Sequence, residues 1–197
     1  MLGSSDSETG TSYWFGAYLP VTDGEHNFGT VGLEYNHGSQ YWRPFTYAED
    51  TMIGSKIAAR GDAYEMNYTY QINDALSAQL RYVNINYEYT GSQGFFGGSS
   101  GGAVKIDDIK AGAGAFATRG VTMADVQSLP TGNPTPAAQQ AVGMIMAENG
   151  VAPADMGKME NQMAAGQQLG GEAQASAFAP NVVESAQDFR FYLRYRF

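Results

Sequence analysis

The last nine residues, Phe189-Arg190-Phe191-Tyr192-Leu193-Arg194-Tyr195-Arg196-Phe197, constrain the fold more than any other run in the chain. Read at period two, one face is Phe189, Phe191, Leu193, Tyr195 and Phe197, and the other is Arg190, Tyr192, Arg194 and Arg196. Successive side chains of a strand point to opposite sides, so this strand separates two very different surroundings. A half-buried strand of a soluble sandwich alternates too, but rarely sets four aromatics against three arginines. The pattern is that of a transmembrane barrel strand, apolar toward lipid and polar toward a lumen.

Composition agrees with such a barrel. Among 197 residues there are 13 Tyr, 10 Phe and 25 Gly, and 43% are hydrophobic, yet no apolar run is long enough for a membrane-spanning helix. Cysteine is absent, which removes disulfides and thiolate metal sites. The net charge of −9 argues against nucleic acid as a partner and reads as solubility of exposed loops.

Four more segments alternate. Thr11–Val21 carries Tyr13, Phe15, Ala17, Leu19 and Val21 on one face, with Trp14 and Tyr18 blurring the other. A turn with Asp23-Gly24 chemistry follows, and Asn27–His37 opposes Val31, Leu33 and Tyr35 to Thr30, Gly32, Glu34 and Asn36. After a long connection, Asp62–Ile72 sets Tyr64, Met66, Tyr68, Tyr70 and Ile72 against Glu65, Asn67, Thr69 and Gln71. Asn73-Asp74 predicts a tight two-residue turn into Ala75–Tyr89. In that segment the apolar phase flips between Tyr82 and Val83, which predicts a β-bulge.

The expected organisation is therefore a disordered N-terminal segment (1–10), four antiparallel barrel strands (11–92), a long external loop or insert (93–184) and a C-terminal barrel strand (185–197). The insert is rich in Gly, Ala, Gln, Ser and Met and opens on Gly94-Phe95-Phe96-Gly97-Gly98. Two short helices are expected inside it, from Thr135-Pro136 to Asn149-Gly150 and from Pro153 to Leu169-Gly170-Gly171. Met144, Met146, Met156, Met159 and Met163 read as an adaptable apolar face, with a methionine metal cluster as the sharper alternative. The fold class is all-β: the C-terminal strands of a transmembrane antiparallel β-barrel, incomplete in this chain. Connections alternate short and long, as they do between the two sides of an outer membrane. That places the turns at Asp23 and Asn73 in the periplasm and the Gln40–Arg60 loop outside.

Single-chain bacterial barrels begin at about eight strands, so about five are too few to close. The start, Met1-Leu2-Gly3-Ser4-Ser5-Asp6, has neither the basic region nor the apolar stretch of an export leader. Both observations predict that upstream barrel strands belong to a longer parent chain, through a fragmentary or misplaced gene start.

Gly32-Leu33-Glu34-Tyr35-Asn36-His37-Gly38-Ser39, Tyr41-Trp42-Arg43-Pro44-Phe45, Gly61-Asp62-Ala63-Tyr64-Glu65 and Tyr89-Thr90-Gly91-Ser92-Gln93-Gly94-Phe95-Phe96-Gly97, with the Arg-Tyr-Arg-Phe end, resemble one known family. It is an uncharacterised family of proteobacterial outer-membrane, porin-like proteins, the domain of unknown function DUF3373, and the likeness is to its C-terminal region. The aromatic end also resembles the signal by which the barrel assembly machinery recognises its clients. The resemblance implies an outer-membrane location in a Gram-negative bacterium, with membrane lipid and that machinery as partners. It carries no activity and no functional residues.

Chemistry is weighed on what remains. His26 and His37 lie at opposite ends of strands and match no metal-ligand spacing. His37 with Ser39 allows a hydrolytic triad to be imagined at the rim, against a plain rim hydrogen bond. Asp107-Asp108 and Asp155 lack calcium-loop spacing. No catalytic residue, metal or cofactor is assigned, and an enzyme is not expected. The alternation points Glu34, Glu65, Arg81, Arg190, Arg194 and Arg196 toward the lumen, and Phe189, Phe191, Leu193, Tyr195 and Phe197 toward lipid. The opposed charges either tune passive solute passage or neutralise one another in a plugged barrel. Lys56 and Arg60 are candidates to fold inward as a constriction, and Tyr41, Trp42 and Phe45 read as interfacial aromatics or a sugar platform. The expected function is porin-like solute passage through a charged lumen. The alternative is a surface interaction protein anchored by the barrel, with the insert as binding or plug segment.

Overall fold

The computed structural model describes residues 8–44, 53–92 and 102–197. Residues 1–7 of the expected N-terminal segment, Phe45, and residues 93–101 of the glycine-rich opening lie outside the described residues. Two units are present: residues 1–106 with 183–197, and residues 107–182.

The first unit is a five-stranded antiparallel meander in the order β1 (Ser12–Thr22), β2 (Asn27–Gly38), β3 (Gly61–Gln71), β4 (Leu76–Tyr87) and β5 (Ser185–Tyr195). The sheet is open, with β1 and β5 at its edges. Asp23 shapes the first turn by accepting the backbone N–H groups of Glu25 and His26 at 3.0 and 2.7 Å. Asn73 does the same for Ala75 and Leu76, both at 2.9 Å. Ile72 donates to the Leu76 carbonyl at 2.9 Å, so the turn holds three residues rather than the expected two.

Register assigns every strand residue to a face. Trp14, Glu34, Glu65, Arg81 and Arg190 share one side; Phe15, Tyr35, Met66, Tyr82 and Phe189 share the other. We call these the polar and the apolar face. Pairing runs without a shift through Tyr82 and Val83, so the expected β-bulge is absent. The phase flip has another cause. Toward the end of the sheet that carries the long connections, the polar face is covered by the loop before β3, and there Val83, Ile85, Ala63 and Ala59 form a small buried core. Covered positions favour apolar side chains whichever face they occupy.

The all-β expectation is corrected by the second unit. Within the expected external loop lie α1 (Ile106–Thr118), α2 (Met123–Ser128), α3 (Pro136–Glu148) and α4 (Met159–Phe178). Thr135 caps α3 by accepting the Ala138 N–H at 3.2 Å, with Pro136 in the first turn, as the sequence predicts. The other expected helix begins later, because Pro153–Asp155 forms only a single 3₁₀ turn. It also runs through Gly170-Gly171 instead of stopping there. Two glycines cost about 2 kcal/mol of helix propensity; the burial of Leu169 and Ala173 around them offsets it. Helices α1 and α2 are additional to the two expected: α1 sets Ile106, Ile109 and Phe116 at helical spacing, and α2 opens on a Thr122–Asp125 capping box. Ala141, Val142, Ile145, Met146, Ala165 and Leu169 make the core of this unit.

Candidate functional site

The loop before β3 carries the cation that organises the polar face. Residues Lys56–Ala58 form one 3₁₀ turn, and the Asn36 side-chain amide donates to the Lys56 carbonyl at 3.1 Å. This holds the loop on the sheet and aims the ammonium along it. Lys56 Nζ lies 2.6 Å from Glu34 Oε2 and 2.5 Å from Glu65 Oε2. Glu65 Oε2 also accepts from Arg81 Nη2 at 2.7 Å, and Glu65 Oε1 from Asn67 at 3.1 Å. Glu34 receives two further donors, Trp14 Nε1 at 3.0 Å and the Tyr18 hydroxyl at 2.8 Å. Two carboxylates and two cations thus form one hydrogen-bonded group, with side chains between 5% and 12% exposed. Charges so far from water persist only when each is paired and bonded. Burial works against the Lys56 charge, but Glu34 and Glu65 outweigh it and hold the ammonium above the ordinary lysine value.

This group lines one part of a recess of about 550 Å³ on the polar face. Asn67, Thr69 and Gln79 line its middle, where Gln79 Nε2 donates to Thr69 Oγ1 at 2.9 Å. Tyr192 and Arg194 of β5 line its far side, the guanidinium carbon 5.5 Å from the Tyr192 ring centre. Arg190 stands directly across from Arg81 in the register. Its Nε lies 2.5 Å from Asp188 Oδ2, and its Nη1 donates to the Tyr192 hydroxyl at 3.4 Å.

The residues singled out from sequence fall as follows. Glu34, Glu65, Arg81, Arg190 and Arg194 share the polar face, and the first three meet at Lys56 or beside it. Arg196 lies past the end of β5, its backbone N–H on the Ala75 carbonyl at 2.8 Å. Phe189, Phe191, Leu193 and Tyr195 stand on the apolar face, 58–69% exposed, and Phe197 is exposed beyond it. Arg60 does not join the group. It donates to the Trp42 and Thr90 carbonyls at 3.1 and 2.8 Å and ties the two long connections together. Trp42 is likewise inside its loop, donating to the Ile57 carbonyl at 2.7 Å, while Tyr41 is exposed.

In sequence Trp14 and Tyr18 only blur the alternation of the first strand. Their indole N–H and hydroxyl are what Glu34 needs, and an aromatic with a polar atom on an otherwise polar face was the available signal. Among the described residues no hydrogen bond joins Ser39 to His37; the Ser39 hydroxyl accepts the Thr11 backbone N–H at 2.9 Å. His37 instead sits 2.9 Å from Asp62, which also accepts the Tyr35 hydroxyl at 2.7 Å. His26 lies 3.3 Å from Asp23. Among the described residues no three His, Cys, Asp or Glu side chains are placed to hold a metal ion. The methionines divide: Met146 is in the helical core, Met144 and Met156 pack on it, and Met159 and Met163 line an exposed groove.

The family model described as "Protein of unknown function (DUF3373)" matches residues 1–128, and the chain belongs to that family. The match takes in β1–β4, α1 and α2. No curated protein and no solved structure matches the chain.

Proposed function

We propose that this member of the DUF3373 family contributes five strands to a porin-like barrel of a Gram-negative outer membrane, its polar face lining an aqueous passage and its apolar face meeting lipid. The observation that carries this reading is the slope of the apolar band. Counted from the end with the long connections, the first aromatic on the apolar face is Tyr13 on β1, Tyr35 on β2, Tyr64 on β3, Tyr82 on β4 and Phe189 on β5. Above this line stand His37, Asp62, Asn84 and Gln187. From β1 to β5 the line descends two rungs, four residues or about 13 Å, over four strand spacings or about 19 Å. Where this line lies level with the membrane, the strands tilt about 35° from the membrane normal, within the tilt of transmembrane barrels. Tyr13 to Val21, Tyr64 to Ile72 and Phe189 to Phe197 each span eight steps. At that tilt this is about 22 Å of membrane, close to the apolar height of about 25 Å in such barrels. The tyrosines along the line match an interfacial girdle.

The open edges state what else the barrel needs. β1 and β5 both run away from the long connections, because five is odd. Neither the two edges of one chain nor the edges of neighbouring copies can pair antiparallel. Closure takes an odd number of further strands, expected upstream in a longer parent polypeptide, folded with the help of barrel assembly machinery. The passage filters by size and charge, narrowed by Lys56 and its loop, and no catalytic step is assigned to it. A second reading, a surface interaction protein with the barrel as anchor, is favoured by one observation: the helical unit carries an apolar groove of about 740 Å³ lined by Met146, Met159 and Met163. Planar-bilayer recording of the protein at its native length separates the two. Steady ohmic steps are expected; a silent bilayer with folded protein refutes the pore.

A further inference from the structure

We infer that the passage prefers small anions, and that Arg194 on β5 sets this preference together with Arg81 and Arg190. The inference rests on the pore reading above. The chain as a whole is strongly acidic, with a net charge of −9. The polar face runs against that balance. Lys56 and Arg81 are matched there by Glu34 and Glu65, and Arg190 by Asp188. Arg194 remains. Among the described residues its recorded contact is the face of Tyr192, and no carboxylate lies within ion-pair distance. The face thus carries one positive charge in surplus.

The placement sharpens the argument. Arg81 and Arg190 oppose each other directly across the β4–β5 pair, an arrangement that is destabilising for like charges. Glu65 and Asp188 hold them there, and Tyr192 lies between Arg190 and Arg194 on the same face of β5. Arg81 and Arg194, two rungs apart, line the recess with the paired Lys56, Glu34 and Glu65 and the neutral Asn67, Thr69 and Gln79, while Arg190 stands beside it across from Arg81, so the lining keeps one cation more than its carboxylates. Guanidinium donors in a fixed plane suit oxyanions and carboxylates, and they release a small anion easily where the water is not excluded. Rings of such cations on a pore wall select anions. The ligand class is a small hydrated anion, chloride or inorganic phosphate.

The test is the anion-to-cation permeability ratio, taken from the reversal potential of the native-length protein in a potassium chloride gradient and repeated with potassium phosphate. A ratio above one is expected. Arg194→Glu, assembled as judged by gel heat-modifiability, lowers it about fivefold or more, since two unit charges change beside the ion path. Arg194→Lys keeps the ratio above one, and Arg194→Gln, which keeps the size but not the charge, falls between them. Conducting pores that favour potassium in the parent, or a ratio that Arg194→Glu and Arg194→Gln leave unmoved, overturn the inference and leave the pore standing. Silent bilayers overturn both.

Discussion

Arg119 offers a direct measure of what holds the helical unit together. It follows α1 and reaches Glu172 on α4 with two parallel hydrogen bonds, Nε to Oε2 and Nη2 to Oε1, each 2.9 Å. Its third contact, to Glu148 at the end of α3, is on a carboxylate that is 56% exposed and contributes little. The Arg119 and Glu172 side chains are only 6% and 7% exposed. Arg119→Met leaves Glu172 buried without its partner, at a cost of about 3–5 kcal/mol. A unit of this size is stable by about 4–11 kcal/mol, so roughly half of its stability goes. With a urea slope near 1 kcal/mol/M, the midpoint falls by about 3 M or the unit is unfolded in buffer. Arg119→Met with Glu172→Met together is expected within about 1 kcal/mol of the parent, because neither charge then needs solvating. Circular dichroism at 222 nm during urea unfolding of the full chain follows the helices.

The pH dependence supplies a sign that packing loss alone does not. In the parent, Arg119 holds the Glu172 carboxyl below its ordinary value, against the opposite pull of burial. That contribution is present above about pH 4.3 and is lost as pH falls through the lower native value. Without Arg119, burial pushes the Glu172 carboxyl up, and protonation relieves the variant as pH drops from 7 toward 5. The parent is expected to be flat over that interval and the single variant to gain stability. A single variant that loses under about 1 kcal/mol, a double variant as weak as the single, or the same pH slope in both refutes the reasoning.

Two further predictions concern the sheet. Leu193→Arg puts a charge at the middle of the apolar band on β5 and is expected to cost about 2–4 kcal/mol, read as lost heat-modifiable protein in membranes. Thr69→Lys on the polar face is tolerated, and equal damage from both would remove the distinction between the faces. Gly61 has φ +136° and its added Cβ would meet the Asn86 carbonyl and the Glu88 amide, whereas Gly24, at φ +94°, has open space around it. Gly61→Ala is therefore expected to lower the urea midpoint more than Gly24→Ala, which carries backbone strain of about 1–3 kcal/mol alone; equal shifts would refute it.

The amino-acid order by itself determined the five strands, to within one or two residues, and the face to which their side chains belong, except from Val83 onward in β4. Period-two alternation is a local property, and Asp23 and Asn73 terminate the pattern through hydrogen bonds to residues two and three positions away. Helix α3 was legible for the same reason, since Thr135-Pro136 and Asn149-Gly150 are signals read within one turn. Three things were decided only in three dimensions. The flip at Val83 is apolar cover from a loop folded back over the face, and nothing near Val83 in the chain distinguishes that from a slipped register. Gly170-Gly171 stayed helical because packing of distant side chains outweighed a local preference. The meeting of Lys56 with Glu34, Glu65 and, through Trp14 and Tyr18, with β1 joins residues tens of positions apart. Charge pairing acts through space at a few ångströms, and only the folded sheet brings those groups within that reach.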